Sequence, residues 1–499
     1  MTYIDGESLT AAGIVALAER RESCAVTDEA RRRVGRSHAF AERVSATRQI
    51  YGRSTGVGAN RSIGIEDAGT FAHARALLRS HATSAGLPRS AERVRAMLVV
   101  RLNQLAAGGS GASEAVFEGL AAMIATDALP EIRELGGIGT GDLTALAATA
   151  LALMGEAPTA RPLPSLTDFG PHDALPFISS NAATIGDAAL ACVRLRELVG
   201  GYVVVAALTF VAIRGNAEAF AEIVDRVSPF PGSRRVTAWM RALVADAASP
   251  ARIQDPFGLR TLPQTLGPAI DALVVLDDVV GRLANAPSEN PVLWGRPDDD
   301  VAGHDVAGGG EFAHHGGFHA AYLATALDTA VITVAQAGKL VLARIGALGD
   351  LEFTGLPAFL GDGTVGASGT MILEYVGASA LGALRAAATP AGLQTVVLSQ
   401  GVEEDASFAS LAAGQALDAV AHLRTLLACE LVAAVRALRL GGTKPAGDML
   451  NGALKLCAGL PDGFADRDLT PDIEAAERLL PVLARLLDRG PGDGRRAAA

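Results

Sequence analysis

Apolar residues recur every three to four positions along most of this chain, the interval that lines one face of an α-helix. That spacing predicts helices over residues 1 to about 50, 68–107, 112–126, 181–226, 233–247, 262–285, 318–347, 366–387 and 406–439, with a cap at Ser8 or Thr10 opening the first. The pattern breaks where glycine, proline and small polar residues collect. The breaks are YGRSTGVGANRSIG (51–64), AAGGSGAS (106–113), ELGGIGTGDL (134–143), a connection with five prolines over 156–178, and a long loop at 286–317 carrying DDD and GGG. Long loops in compact proteins are often functional. ELGGIGTGDL leads directly into LTALAATALALMG, so Asp142 stands where a helix begins and its charge meets the positive end of the helix dipole. No internal repeat is visible.

Composition narrows the class. Hydrophobic residues make up 49% of the 499 and aromatics only 4%, so the apolar content is largely Ala, Leu and Val, and Ala and Leu are strong helix formers. A chain of this length implies two or three subdomains. The net charge of −11 is spread without a basic stripe, which argues against nucleic acid as the main partner. Cys24, Cys192, Cys429 and Cys457 are far apart with no CxxC pair, so neither a zinc site nor a disulfide framework is implied. The opening MTYIDGESLTAAGIVALAER lacks a basic segment followed by an apolar core and is not a signal peptide. The longest apolar run, LVGGYVVVAALTFVAI (198–213), falls short of the roughly 18–20 residues of a membrane span and holds two glycines. A buried core helix, no membrane partner and a cytoplasmic location are expected.

Reactive residue types gather in the loops: Tyr51-Gly52, Ser80-His81, Gly139-Thr140-Gly141-Asp142, Gln254-Asp255-Pro256-Phe257 with Arg260, Gly317-Phe318-His319, and Glu403-Glu404-Asp405. His314, His315 and His319 sit in a glycine-rich loop without an accompanying set of carboxylates, so no metal site is expected. GDGTVG follows no strand and opens no dinucleotide-binding unit, so no nucleotide is expected either.

The order of these segments resembles the histidine/phenylalanine ammonia-lyase family. YGRSTGVG resembles its YG-x-x-TG-x-G tyrosine loop, RSHATSAG its SHA-type substrate segment, and VRAMLVVRLNQLAAGGSG the helix that follows. RIQDPFGLRTLPQTLG resembles the diagnostic QDPYSLR-x-x-PQ segment. NAPSENP, GGFH, TGLPAFL, SGTMI and EED also match the family's segments. Each motif alone is weak; nine spread between residues 51 and 405 are specific.

The resemblance implies a mainly α, ammonia-lyase-like fold: an N-terminal active-site domain (1–195), a long-helix bundle (196–488) and a disordered tail (489–499). It also implies an electrophile made from the backbone. In the family's Ala-Ser-Gly tripeptide, the glycine nitrogen attacks the alanine carbonyl and two waters are lost, giving a methylidene-imidazolone. That group captures an amino acid so that ammonia can depart, while a tyrosinate-like base removes a β-proton. Tyr51 would be that base. His81, Gln254, Arg260, Phe318 and Glu404 would hold the substrate, with Arg260 gripping its carboxylate through two hydrogen bonds. The bland alternative for Arg260 is an ion pair with Asp255, and for Glu404 a solvated acidic run. The implied assembly is a homotetramer whose active sites draw on three subunits.

Three positions depart from the family pattern. The tripeptide is Gly139-Thr140-Gly141, so ring closure would leave an ethylidene with an extra methyl on the carbon to be attacked. Phe257 stands where the family has tyrosine. Ser179-Ser180-Asn181 aligns with the family's Asn-Gly-Thr, and a small shift would let Asn181 replace the usual asparagine. Three readings follow. One is an ammonia-lyase or aminomutase acting on an α-amino acid with an aromatic or polar side chain. The second is an enzyme without the electrophile, catalysing proton transfer, addition or cyclisation with Tyr51 as base and the 139–141 amides as an anion hole. The third is a non-catalytic binder.

Overall fold

The computed structural model describes residues 1–65, 70–295 and 310–488. The predicted tail (489–499), the DDD run and most of the GGG run lie outside the described residues. The molecule is mainly helical, and its strands are short and paired two by two. It divides into two compact units that are each discontinuous in sequence. The first comprises residues 1–193, 276–328 and 390–414, the second 194–275, 329–389 and 415–499.

In the first unit, helices α1 (Ala11–Ala18), α2 (Asp28–Ser45), α3 (Thr70–His81), α4 (Ala91–Ala106), α5 (Glu114–Thr126), α6 (Leu143–Leu153) and α7 (Ala174–Ile178) precede α8 (Ala182–Ala212), which starts here. Thr10 caps α1 by accepting the Gly13 N–H; Ser8 instead hydrogen-bonds Asp5. The predicted single helical stretch over 1–50 is interrupted: Cys24–Val26 pairs in parallel with Thr2–Ile4. The stretch 68–107 is likewise split, because Ala85–Pro88 forms a strand against Arg133–Leu135 and Ser90 caps a fresh helix.

Helix α4 is buried from Met97 to Ala106, including three polar side chains that must find partners. Asn103 accepts the Gly6 N–H and donates to the Ala284 carbonyl, while Gln104 donates to the Leu283 carbonyl. Arg101 donates to the carbonyls of Phe177 (3.0 Å) and Pro176 (2.6 Å) at the end of α7 and pairs with Glu289 at 2.7 Å. A guanidinium there satisfies carbonyls that the end of a helix leaves without partners. The polar residues of α4 therefore anchor the chain just before Ser179 and around 283–289.

The second unit contains α9 (Glu222–Val227), α10 (Pro231–Leu243), α11 (Phe257–Arg260), α15 (Met371–Ala387), α17 (Asp448–Leu456) and α18 (Thr470–Ala484). It also holds parts of α12 (Leu262–Ala284), α13 (Ala321–Gly349) and α16 (Ala409–Leu440) and the short α14 (Leu351–Thr354). The predicted helix 181–226 ends at Ala212, where Arg214 adopts a left-handed conformation (φ 52°) before Gly215. Gly200 and Gly201, in the longest apolar run, admit α18: a Cβ on either would lie within 3 Å of Ala484 or Leu480. Arg344 and Glu430 form a buried ion pair (2.6 and 2.7 Å), to which Thr209 donates at 2.7 Å, and Arg344 also donates to the Gly258 carbonyl. Burial works against the Arg344 charge, but Glu430 and Tyr202 outweigh it and push its pKa above the ordinary value. Three helical stretches, Ala174–Ala212, Ala321–Gly349 and Met371–Leu393, are long and apolar enough to cross a membrane by length and composition alone. The first has 78% of its most apolar window buried within the chain, as a core helix would.

Candidate active site

A cavity of about 980 Å³ opens in the first unit, walled by loop segments around residues 51–61, 314–319 and 399–405. Six of the residues given catalytic or substrate-binding roles from the sequence line it: Tyr51, His81, Thr140, Ser179, Phe318 and Glu404. They come from six separate stretches of chain.

The tyrosine loop is held from several sides. Arg53 is buried and donates to the Ser110 carbonyl at 2.7 Å, and burial pushes its pKa down to about 10. Gly52 has φ +70°, and a Cβ there would strike Leu175 at 2.1 Å. Glycine is needed both for the conformation and for the close approach. The Tyr51 hydroxyl accepts the Gly58 N–H at 2.8 Å, while Ala59 N–H donates to Ser399 Oγ at 3.1 Å.

The tripeptide lies in a tight web. Gly139 and Gly141 are buried with φ of +86° and +116°. The Gly139 carbonyl accepts two hydrogen bonds, from the Ala320 N–H (3.1 Å) and from Ser407 Oγ (2.9 Å). The Gly141 N–H donates to Asn181 Oδ1 at 3.0 Å, and Asn181 Nδ2 donates to the Phe318 carbonyl. Asn181 therefore touches the tripeptide, whereas Ser179 accepts the Asn290 N–H at 3.3 Å. The Asp142 N–H donates to the Ser180 carbonyl at 2.6 Å. Of the amides expected to form an anion hole at 139–141, that of Gly141 is thus already satisfied within the chain, as is the Asp142 amide that follows it. Asp142 does stand at the start of α6, but its carboxylate caps the neighbouring helix, accepting the N–H and hydroxyl of Thr184 at 2.8 and 3.0 Å. Burial raises its pKa, with the Thr184 hydrogen bonds and Arg89 acting in the opposite direction.

The histidines have other duties than metal binding. His315 donates from Nε2 to the Glu289 carbonyl (2.7 Å) and accepts the Gly317 N–H at Nδ1 (2.9 Å), which occupies both ring nitrogens. His314 accepts the Tyr51 N–H at 3.4 Å, and His319 Nε2 lies 3.2 Å from Asp405 Oδ2. Among the described residues no group of three or more His, Cys, Asp or Glu is placed to hold a metal ion.

Gln254, Phe257 and Arg260 belong to the second unit and do not line this cavity. Asp255 pairs with Arg252 at 3.1 Å and accepts the Asn216 N–H, so the alternative reading of Arg260 as its ion-pair partner does not hold. Arg260 instead lies over the Phe257 ring, 4.7 Å from its centroid, and its Nε has no hydrogen-bond partner among the described residues. Phe257 is 63% exposed. Sequence reasoning missed Asn290 and Ser407. Asn290 lies in the NAPSENP segment, which gave a signal of position without a role. Nothing in the sequence marks Ser407.

The family model for aromatic amino acid lyase matches residues 9–458. The histidine ammonia-lyase of Anaeromyxobacter dehalogenans is 30% identical over 508 residues, covering 96% of this chain and 98% of that protein. The histidine ammonia-lyase of Symbiobacterium thermophilum is 32% identical over 499 residues, covering 95% and 96%. Among solved structures, the phenylalanine aminomutase of Pantoea agglomerans superposes with a TM-score of 0.88 at 24% identity, over 96% of this chain and 99% of that one, which shows a common fold. With the family model spanning most of its length and two well-covered relatives at 30% identity or above, the chain belongs to the aromatic amino acid lyase family and is an enzyme of the carbon–nitrogen lyase and aminomutase type.

Proposed function

We propose that this enzyme removes or relocates the amino group of an α-amino acid with an aromatic or polar side chain, using an imidazolone electrophile that forms from Gly139-Thr140-Gly141. The observation that carries the reading is the hydrogen bonding of the tripeptide. The carbonyl to be attacked receives two donors, and the attacking nitrogen is oriented by Asn181. The residues present fit such a group: glycine at 139 and 141 tolerates the positive φ values, and Thr140 faces the cavity. Formed there, the group would supply an electron-poor carbon able to take up an amine and make it a better leaving group.

The remaining chemistry falls to side chains. Tyr51, with its hydroxyl oriented by the Gly58 N–H, removes the β-proton. Glu404, with His81 on the same cavity, meets a polar or cationic side chain. Arg260, supported by Gln254, grips the carboxylate from a neighbouring subunit of a homotetramer. Exposed Phe257 and the exposed Tyr375 on α15 support that assembly, since a subunit interface would cover such apolar surface.

The test is the mass of the proteolytic peptide spanning Gly139–Gly141 from purified protein. A peptide lighter by two waters supports the reading, and amino acids with aromatic and polar side chains are then screened for acrylate or β-amino acid products. An unmodified peptide overturns it. The second reading, proton transfer or addition without the electrophile, draws on Phe257, which lacks the hydroxyl usual at that position, and would then take its place with Tyr51 as base.

A further inference from the structure

We infer that Ser407 is a catalytic residue of the enzyme's self-processing, and that the absence of a side chain at residue 139 is what admits it. The inference rests on the proposal that the tripeptide closes into a ring. Ser407 is 4% exposed, and its Oγ donates to the Gly139 carbonyl oxygen at 2.9 Å. A Cβ on residue 139 would lie 2.1 Å from that same Oγ, and 2.8 and 3.0 Å from the backbone nitrogens of Ala409 and Phe408. An alanine at 139 and a serine hydroxyl in this position therefore exclude each other. Glycine resolves the conflict and leaves the carbonyl with a donor on either side, Ala320 N–H and Ser407 Oγ.

The chemistry gives those donors a task. In ring closure the Gly141 nitrogen bonds to the Gly139 carbonyl carbon, and the negative charge that develops sits on the Gly139 oxygen. The Gly141 N–H proton ends on that oxygen. The resulting hydroxyl leaves with the amide proton of Thr140 as one water, and a carbon–nitrogen double bond remains. The Thr140 hydroxyl and α-hydrogen leave as the second water. Donors already aimed at an oxygen where charge develops lower the barrier without reorganising. Threonine carries an extra methyl at its β-carbon, which crowds the ring as it closes, so a second donor offsets a closure that the sequence otherwise makes harder.

Ser407 also accepts the Ala409 N–H at 3.3 Å near the start of α16, so a purely structural role as a cap must be separated from this one. The experiment follows the fraction of the 139–141 peptide that is two waters lighter against time after a short induction, using the full-length chain. Ser407→Ala is expected to close on the order of 100-fold more slowly than the parent, the scale for removing one such donor. Ser407→Thr keeps the hydroxyl and is expected to close near the parental rate. Ser407→Cys, a weaker donor that still offers an acceptor to Ala409, is expected to fall between and gives a folded variant if alanine loosens the helix start. A Ser407→Ala protein that melts lower yet closes as fast as the parent makes Ser407 a cap and overturns the inference alone. A parent peptide that never loses water overturns both this inference and the electrophile on which it rests.

Discussion

Restoring alanine at residue 139 should damage this protein, although alanine is the family's usual residue there. The backbone at Gly139 has φ +86°, where an L side chain costs about 1–2 kcal/mol. The new methyl would also meet Ser407 Oγ at 2.1 Å and two backbone nitrogens at 2.8 and 3.0 Å, and backbone cannot rotate away. Overpacking of a close-packed site typically costs about 1–3 kcal/mol, so the total is about 2–5 kcal/mol. With an unfolding entropy of about 2.1 cal/mol/K per residue, a cooperative transition of this chain would shift by roughly 2–5 °C. The assay is paired melting of Gly139→Ala and the parent at one protein concentration and scan rate, with the 139–141 peptide mass taken from the same samples. A variant that melts with the parent, or closes its ring faster, would refute the steric argument.

Three further outcomes follow. Glu430→Leu leaves the Arg344 cation buried without its partner and should cost about 3–5 kcal/mol, while Arg344→Met with Glu430→Leu should regain most of it; denaturant melts decide, and equal losses in the single and double variants would contradict the reasoning. Burial, with the Arg53 and His38 charges adding to it, holds His172 down at about 4 against an ordinary 6.5, so the unfolded chain takes up the proton first. The stability this neutral ring contributes is complete above about pH 6.5 and is lost as pH falls toward 4; His172→Gln should therefore flatten the melting temperature across that window, and an unchanged slope would count against it. Tyr51→Phe removes the hydroxyl that accepts the Gly58 N–H and should lower turnover by about 10²–10⁴-fold while leaving the peptide mass unchanged; kcat within a few-fold of the parent would dismiss Tyr51 as the base.

The sequence alone determined the helical class, the family and six candidate residues that line the cavity. Helical periodicity is a local property, and the loop motifs carry their glycines at fixed offsets, so both can be read without knowing the fold. Element boundaries were less legible. The strand at Cys24–Val26 exists because Thr2–Ile4 lies beside it, a pairing no local window contains. Asp142 was visible as a helix-start residue, but which helix it caps depended on Thr184 coming to meet it. The role of Asn181 was not legible locally, because its contact with Gly141 depends on how the turn after α7 sets Ser179 and Ser180. Asp255 looked like a partner for Arg260 from proximity in sequence, yet Arg252 reaches it instead. Ser407 was invisible altogether. Its role comes from a missing side chain 268 positions earlier, and only the folded chain brings that gap and that hydroxyl to one carbonyl oxygen.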